Sequence, residues 1–305
     1  MGWFTKVVLA TTEAAPVEKV VTGTRAGRAL AGRFVAGDTL DEGAAAAHEL
    51  NSNGLEVSLD LLGEDVSDRD GAEAATVEYL KSLDRIAADG LAANISVKLT
   101  QLGLSIGPEV AADALDRLAA AAAQAGTTVT VDMEDSRYTH DTVEMYARVQ
   151  PRHGNLGLCL QAYLHRTPDD LERLVSLGGH LRLCKGAYAE NDDVAFTNDH
   201  EVDAAFARLL TVLMQAETVR PAVATHDPKL IDLTLRLAGK RAAPFEFQML
   251  YGIRRAEQRR LVAAGHELRV YLPFGSAWYP YLTRRLAERP ANVAFFLRSF
   301  LPTSR

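Results

Sequence analysis

The chain has 305 residues, 48% of them hydrophobic, and its formal net charge at pH 7 is −7. This length is typical of one α/β barrel with extensions, and the acidic balance without long Lys/Arg blocks argues against a nucleic-acid-binding protein. Cys159 and Cys184 lie in apolar runs, which indicates a reducing compartment and inert core thiols rather than a disulfide framework.

No stretch reaches the roughly 18 consecutive apolar residues of a membrane span, and the first residues make a poor signal peptide. We therefore expect a cytoplasmic, soluble protein, with peripheral contact with the inner face of a membrane and the oligomeric state both left open.

The first 37 residues are predicted to form an N-terminal helical arm, because "VTGTRAGRALAGRFVAGD" is rich in Gly and Ala with a weak helical period. Thr39 and Glu42 have the spacing of a capping box, which predicts that a helix starts there. We expect this helix to cover the bottom of a barrel formed by residues 38–305.

Eight short apolar runs then recur along the chain, and each precedes a segment with helical spacing. They span residues 55–63, 94–100, 128–134, 156–163, 181–188, 221–227, 244–250 and 268–275. Alternating strands and helices of this number predict an α/β fold, a (β/α)8 TIM-like barrel. An open doubly wound sheet would require a Gly-rich phosphate loop after the first strand, and "DLLGED" lacks one.

Polar residues gather towards the ends of these strands, where the chemistry of such barrels lies. They are Glu64, Lys98, Asp132, Glu134, Asp135, Gln161, Tyr163, Arg182, Lys185, Thr225, His226, Asp227, Glu246, Gln248 and Tyr271. Any one of them could be a helix cap or a satisfied core group. Burying so many without partners would cost several kcal/mol each, so together they predict a large polar ligand. No metal site is expected, since His226 has no histidine or carboxylate at ligand spacing.

The last predicted helix, "WYPYLTRRLAE", carries Tyr281, Arg284, Arg285 and Glu288 on one face. This face has two interpretations, a solvated surface with an Arg284–Glu288 pair or a clamp for an anion over the barrel mouth. Lys98 and the two arginines would suit a small carboxylate. The donors on strands 4 to 7, with small residues at Gly186 and Ala187, suit a flat heteroaromatic ring with a phosphate tail.

With these residues in view, the chain resembles the proline dehydrogenases, in particular the short bacterial monofunctional form. The matching blocks include "SLDLLGE", "SVKLTQLG", "VDMEDS", "RLCKGAY", "FEFQMLYG" and "YLTRRLAERPAN", and they extend over residues 33–305. The resemblance implies an FAD enzyme that oxidises L-proline to Δ1-pyrroline-5-carboxylate and passes electrons to a quinone. This reaction is the first step of proline degradation to glutamate.

The resemblance also implies roles for individual residues. Asp132 and Arg182 would be the catalytic pair, with Arg182 as the donor near the reactive part of the flavin. The substrate-binding set would be Lys98, Tyr188, Leu250, Tyr271, Tyr281, Arg284, Arg285 and Glu288, in which Glu288 either orients an arginine or meets the substrate amine. Glu64 would close the site by pairing with Arg284. The FAD contacts would be Met133, Gln161, Arg182, Lys185, Gly186, Ala187, Thr225, His226 and Gln248.

One block departs from the pattern, because Asp227 stands where the related large enzymes have an amide. Three alternatives remain at this point. A hydroxyproline dehydrogenase would need a smaller residue than Tyr271, a Schiff-base aldolase would use Lys98 or Lys185 as nucleophile, and a carboxylate-binding barrel would bind no flavin.

Overall fold

The structure is a computed structural model that describes residue 24, residues 27–28 and residues 31–287, with side chains as far as residue 283. Within this part, eight parallel strands pair in sequence order, and β8 pairs with β1 to close a barrel. The predicted (β/α)8 class is therefore confirmed. The strands are β1 (Glu56–Leu61), β2 (Ala93–Val97), β3 (Val129–Val131), β4 (Leu156–Gln161), β5 (His180–Cys184), β6 (Arg220–Ala224), β7 (Glu246–Leu250) and β8 (Leu268–Phe274).

The helices of the described residues surround the barrel or close one end of it. They are α1 (Leu40–Ser52), α2 (Arg69–Asp89), α3 (Pro108–Gln124), α4 (Ser136–His153), α5 (Thr167–Leu174), α6 (Asp199–Gln215), α7 (Pro228–Ala238), α8 (Arg255–Ala263) and α9 (Trp278–Ala287). Several begin at residues whose side chains accept backbone N–H groups, as Thr39 does for α1 in the predicted capping box.

The two faces of most strands differ in polarity. On β1, Val57 and Leu59 belong to the main apolar core that the barrel shares with its helices. The alternate residues Ser58 and Asp60 are also buried, and alternation directs them to the barrel interior. The interior of this barrel is consequently polar, and its side chains must find partners in one another or in a ligand.

The helix before the first strand does not cover the bottom of the barrel, so that expectation is wrong. Gly43 of α1 lies against the side chain of Phe274, at the end of β8. The other end of α1 reaches the base, where the Asn51 amide donates to the Ala92 carbonyl. The helix thus runs along the outside of β8 and β1 and fills the last gap in the outer ring of helices, because its apolar residues Ala44 and Ala47 pack there.

The mouth of the barrel is covered by α9, as predicted for the C-terminal helix. Trp278 and Leu282 pack with Phe34, Val35 and neighbours in a second apolar cluster, separate from the main core. This cluster ties the described end of the N-terminal segment to the mouth. The helical character predicted for residues 1–23, 25–26 and 29–30 lies outside the described residues, and the boundary after residue 37 stays a prediction.

Candidate active site

A cavity of about 710 Å³ opens at the carboxyl ends of the strands beneath α9. Every predicted site residue whose side chain the structure describes lines it: Glu64, Lys98, Asp132, Met133, Gln161, Arg182, Lys185, Gly186, Ala187, Tyr188, Thr225, His226, Gln248, Leu250, Tyr271 and Tyr281. Arg284 and Arg285 belong to α9, but their side chains are outside the described part of the chain, as is all of Glu288. The predicted Glu64–Arg284 gate is outside it for the same reason.

Seven of the eight strands end before their predicted apolar runs do, and some site residues follow directly after a strand. Lys98 is the first residue after β2, and Asp132 is the first after β3. The backbone N–H of Asp132 still donates to the Val97 carbonyl at 2.8 Å, so its side chain leaves a fixed point of the barrel. One strand-end prediction is wrong: Glu246 opens β7 at the opposite end, because only the carboxyl half of that run reaches the cavity.

Lys98 is a buried cation between two carboxylates. Its Nζ donates to Asp60 Oδ1 at 2.8 Å and lies 3.7 Å from Asp132 Oδ2. Burial alone would lower the pKa of Lys98, but Asp60 and Asp132 outweigh it and hold that pKa well above its usual value. Lys98 is therefore positively charged throughout the neutral range, and any anion it binds would be held by this charge.

Asp60 is a charged residue of the site that the sequence analysis missed. It is 0% exposed, and its Oδ2 accepts no hydrogen bond from any described residue. Burial raises the pKa of this carboxyl, and Lys98 only partly offsets the effect. The sequence does contain a signal for Asp60, which is its place in the two-residue alternation of the strand. Asp60 shares with Ser58 the inner face of a strand whose outer face is apolar.

Arg182 reaches across the barrel interior and is held at three points. Its Nε donates to Gln248 Oε1 at 2.6 Å, Nη1 donates to Asp132 Oδ1, and Nη2 donates to Ser96 Oγ at 3.0 Å. The guanidinium also lies over the ring of Tyr271, 5.3 Å from its centroid. Because each partner comes from a different strand or strand end, the plane of this cation is fixed by the barrel itself.

Asp132 is saturated with donors. Ser96 donates to Oδ1 at 2.8 Å, Tyr271 donates to Oδ2 at 2.6 Å, and Arg182 adds its own hydrogen bond. Burial would raise the pKa of this carboxyl, but Arg182 and Lys98 outweigh burial and lower it. Asp132 is thus an ionised carboxylate that orients Lys98 and Arg182.

The opposite wall of the cavity is built from small residues and one amide. Gln161 donates to the Glu134 carbonyl at 2.7 Å and accepts from the Ala187 N–H at 3.3 Å. Gly186 has a φ of +121°, and a Cβ there would lie 2.3 Å from a ring carbon of Tyr163. Only glycine fits this turn, so the backbone at Gly186 and Ala187 forms a flat, unobstructed platform.

Lys185 and Asp227 meet at the edge of this wall. Lys185 Nζ lies 3.0 Å from Asp227 Oδ2 and 2.5 Å from Asp203 Oδ1. Asp227 is also the N-cap of α7, where its other oxygen accepts the Lys229 N–H. The departure noted in the sequence at Asp227 therefore has a local partner, a lysine whose charge two carboxylates share.

The two cysteines line the cavity rather than lying remote from the site. Cys159 Sγ and Cys184 Sγ are 3.6 Å apart, and both thiols are free. Their hydrogen bond lowers the pKa of Cys159 and raises that of Cys184 well above its usual value. Cys159 belongs to the main core and Cys184 packs against it, as expected of core thiols, and β4 and β5 also turn both side chains towards the cavity.

The remaining cavity residues, which the sequence analysis did not assign to the site, are mostly apolar: Leu62, Gly63, Ala224, Pro228, Met249, Ala277 and Pro280. Nothing in a single sequence separates such residues from ordinary core. Within the described ranges, no three His, Cys, Asp or Glu side chains come together as metal ligands. Nor does any helix there combine the length and apolar character needed to cross a bilayer.

Solved structures support the same architecture. A proline utilization A protein from Bdellovibrio bacteriovorus, inactivated by N-propargylglycine, superposes on this chain with a TM-score of 0.81 at 24% identity. A proline utilization A mutant from Bradyrhizobium japonicum superposes with a TM-score of 0.73 at 23% identity. The matches cover 92% and 89% of this chain but only 34% and 32% of those much longer chains, and at this identity they show the fold alone.

Sequence similarity identifies the family of the chain as well as its fold. The family model for proline dehydrogenase matches residues 44–298. Proline dehydrogenase 1 of Bacillus subtilis (strain 168) is 39% identical over 282 residues, covering 92% of each chain. The proline dehydrogenase of Deinococcus radiodurans is 36% identical, covering 89% of this chain and 90% of that protein. This chain belongs to the proline dehydrogenase family.

Proposed function

We propose that this protein uses FAD to oxidise L-proline to Δ1-pyrroline-5-carboxylate and passes the electrons to a quinone, as the first step of proline degradation to glutamate. The observation that carries the proposal is the buried group of Lys98, Asp60, Asp132 and Arg182 in the cavity of a barrel from this family. A quinone dissolved in a membrane would require peripheral contact with that membrane, which is part of the proposal.

The cavity fits a flavin. Its volume of about 710 Å³ is within the roughly 300–1,000 Å³ of cofactor pockets. The platform at Gly186 and Ala187 leaves room for a flat ring, and donors surround it. The residues that would hold FAD are those expected from the resemblance: Met133, Gln161, Arg182, Lys185, Gly186, Ala187, Thr225, His226 and Gln248. Bound there, the flavin would supply the acceptor for the hydride that the substrate loses.

The substrate carboxylate needs more cations than the described residues provide. Lys98 and Arg182 are balanced by Asp60 and Asp132, so this group carries no net charge when all four side chains are ionised. An anion entering the cavity would gain little from such a group at long range. Additional cations must therefore come from elsewhere, and the two arginines of α9 are the candidates.

Arg284→Met or Arg285→Met should consequently raise the KM for proline strongly while FAD stays bound. A variant that loses its flavin instead would mean that the arginines support the fold rather than the substrate. The KM effect with little change in kcat is the signature of binding that is equal in the ground and transition states.

The substrate amine must lose its proton before or during hydride loss. Asp132 is poorly suited to take that proton, since its low pKa and its three hydrogen-bond donors favour the ionised form. Its supported role is to orient Lys98 and Arg182. Tyr271, fixed by the same carboxylate, would form a wall of the substrate site that leaves little room for a ring hydroxyl.

The Schiff-base alternative finds no support in the electrostatics. A lysine that attacks a carbonyl needs a lowered pKa. The carboxylates around Lys98 and Lys185 instead outweigh burial and raise the pKa of each.

One experiment tests the main proposal. L-proline is added anaerobically to the purified protein while the flavin absorbance is followed, and bleaching is expected. trans-4-Hydroxyproline serves as the comparison substrate and should bleach the flavin more slowly. A colourless protein that cannot be reconstituted with FAD would refute the proposal, and trapping of substrate on the chain by borohydride would support an aldolase.

A further inference from the structure

The base of the barrel contains a buried carboxylate that no substrate or cofactor could touch. Glu246 is 0% exposed and lies outside the cavity lining in the described part of the chain. Its oxygens accept from Arg269 Nε at 2.9 Å and Arg220 Nη2 at 3.2 Å, and His180 Nε2 is 3.3 Å away. Burial would raise the pKa of Glu246, but His180 and Arg269 outweigh it and lower that pKa strongly. Glu246 is thus ionised and can only accept hydrogen bonds.

Gln248 connects this carboxylate to the cavity. Its Nε2 donates to Glu246 Oε1 at 2.6 Å, and its Oε1 accepts from Arg182 Nε at 2.6 Å. An amide can face either way in principle, because its two ends have similar shapes and opposite polarity. Here the acceptor-only carboxylate selects one orientation, in which the carbonyl oxygen points at Arg182. With the amide reversed, an NH2 group would face a guanidinium N–H and the hydrogen bond would be lost.

We propose that Glu246 is a positioning residue for Arg182, which it controls through the orientation of the Gln248 amide. Arg182 has three anchors in the barrel, and the Gln248 oxygen is the one that fixes its Nε edge. Without it, the guanidinium can pivot about its contacts with Asp132 and Ser96. This inference rests on the proposed function, in which Arg182 faces the reactive part of the flavin.

The competing explanation is that Glu246 only balances the charge of Arg269 and its neighbours at the base. The two explanations differ in what rescues the loss of the carboxylate. Glu246→Gln removes the charge and lets Gln248 turn. Adding Gln248→Glu restores an acceptor for Arg182 Nε. The double variant still has one carboxylate in this group, but at position 248 rather than at position 246 in the base of the barrel.

The experiment compares wild-type holoenzyme with Glu246→Gln, Gln248→Met, the double variant Glu246→Gln/Gln248→Glu, and Arg220→Met. The last is the control, because Arg220 contacts Glu246 from the half-exposed base and does not touch Gln248. The readouts are kcat and KM for proline, the midpoint potential of the bound flavin and the unfolding temperature. Gln248→Met leaves the charged residues at the base of the barrel intact. It therefore tests the connection between Glu246 and Arg182 even if Glu246→Gln does not fold.

We expect both single variants at 246 and 248 to lose about 10- to 100-fold in kcat, the cost of a catalytic group misplaced by about an ångström. Their flavin potential should shift in the same direction, with little change in KM. The double variant should recover most of the kcat, and Arg220→Met should match wild type.

Any one of three results would overturn the inference. The first is a wild-type kcat and flavin potential in Gln248→Met, and the second is a loss of kcat in Arg220→Met as large as in Glu246→Gln. The third is no recovery of kcat in the double variant. Wild-type protein that binds no FAD and oxidises no proline would overturn the proposed function and this inference with it.

Discussion

Lys98→Met tests the electrostatics of the cavity. The change removes the cation between Asp60 and Asp132 and leaves a side chain of similar length. Breaking one partner out of a buried ion pair costs about 3–5 kcal/mol, because the remaining charge is buried without compensation. At roughly 2–4 °C per kcal/mol for chains of a few hundred residues, the melting temperature should fall by roughly 6–20 °C.

The loss should depend on pH, with a sign that follows from Asp60. Its pKa in the fold is already above its ordinary value of 3.8, and removing Lys98 raises it further. A buried acid with a raised pKa destabilises the fold above that pKa, and the penalty fades as the pH falls through it. The gap in melting temperature between wild type and Lys98→Met should therefore narrow on acidification from pH 7 towards pH 4.

The assay is thermal unfolding of the cofactor-free protein across this pH range. Lys81→Met is the matched control, because Lys81 pairs with Glu78 at 2.6 Å on the surface, where 58% of its side chain is exposed. That change should cost no more than about 1 kcal/mol. Adding Asp60→Asn to Lys98→Met should restore part of the stability. Equal melting temperatures for the two lysine variants, or a double variant no more stable than Lys98→Met, would refute the reasoning.

Three further outcomes are expected. Gly186→Ala should cost about 1–3 kcal/mol of stability and more than Gly126→Ala in parallel melting curves, since a Cβ at 186 meets the Tyr163 ring whereas one at 126 meets nothing within 4 Å. Equal losses of stability in the two variants would show that the positive φ, and not the contact with Tyr163, sets the cost. Tyr271→Ser should raise kcat/KM for trans-4-hydroxyproline relative to proline, and an unchanged ratio would remove Tyr271 from the substrate wall. The two cavity thiols, which are all the cysteines of the chain, should react with an aromatic disulfide reagent more slowly once FAD is bound, and equal rates would place the cofactor elsewhere.

The barrel could be predicted from the sequence because its strands carry an apolar outer face at regular intervals. Val57 and Leu59 on β1 illustrate the signal, which survives even though the inner face is polar. The same signal does not locate the strand ends, because Lys98 and Asp132 continue apolar runs although β2 and β3 stop just before them.

Other features depended on contacts that no local pattern encodes. Glu246 and Gln248 are two residues apart and look equivalent in sequence, but β7 places one at the base and the other at the cavity. The three anchors of Arg182 come from strands far apart in the chain, so their meeting depends on barrel register. The path of α1 likewise follows from packing against β8, which is the last strand in sequence.

That path has a consequence for how the protein can change over evolution. The outer ring is completed by a helix that precedes the first strand, so α9 is not needed to seal the barrel. It rests instead on its own small apolar cluster with residues 31–35 and Leu62. Because this cluster is separate from the main core, substitutions on the cavity side of α9 need not disturb the packing of the main core. In the proposed function, where α9 meets the substrate, specificity could therefore change with little loss of barrel stability.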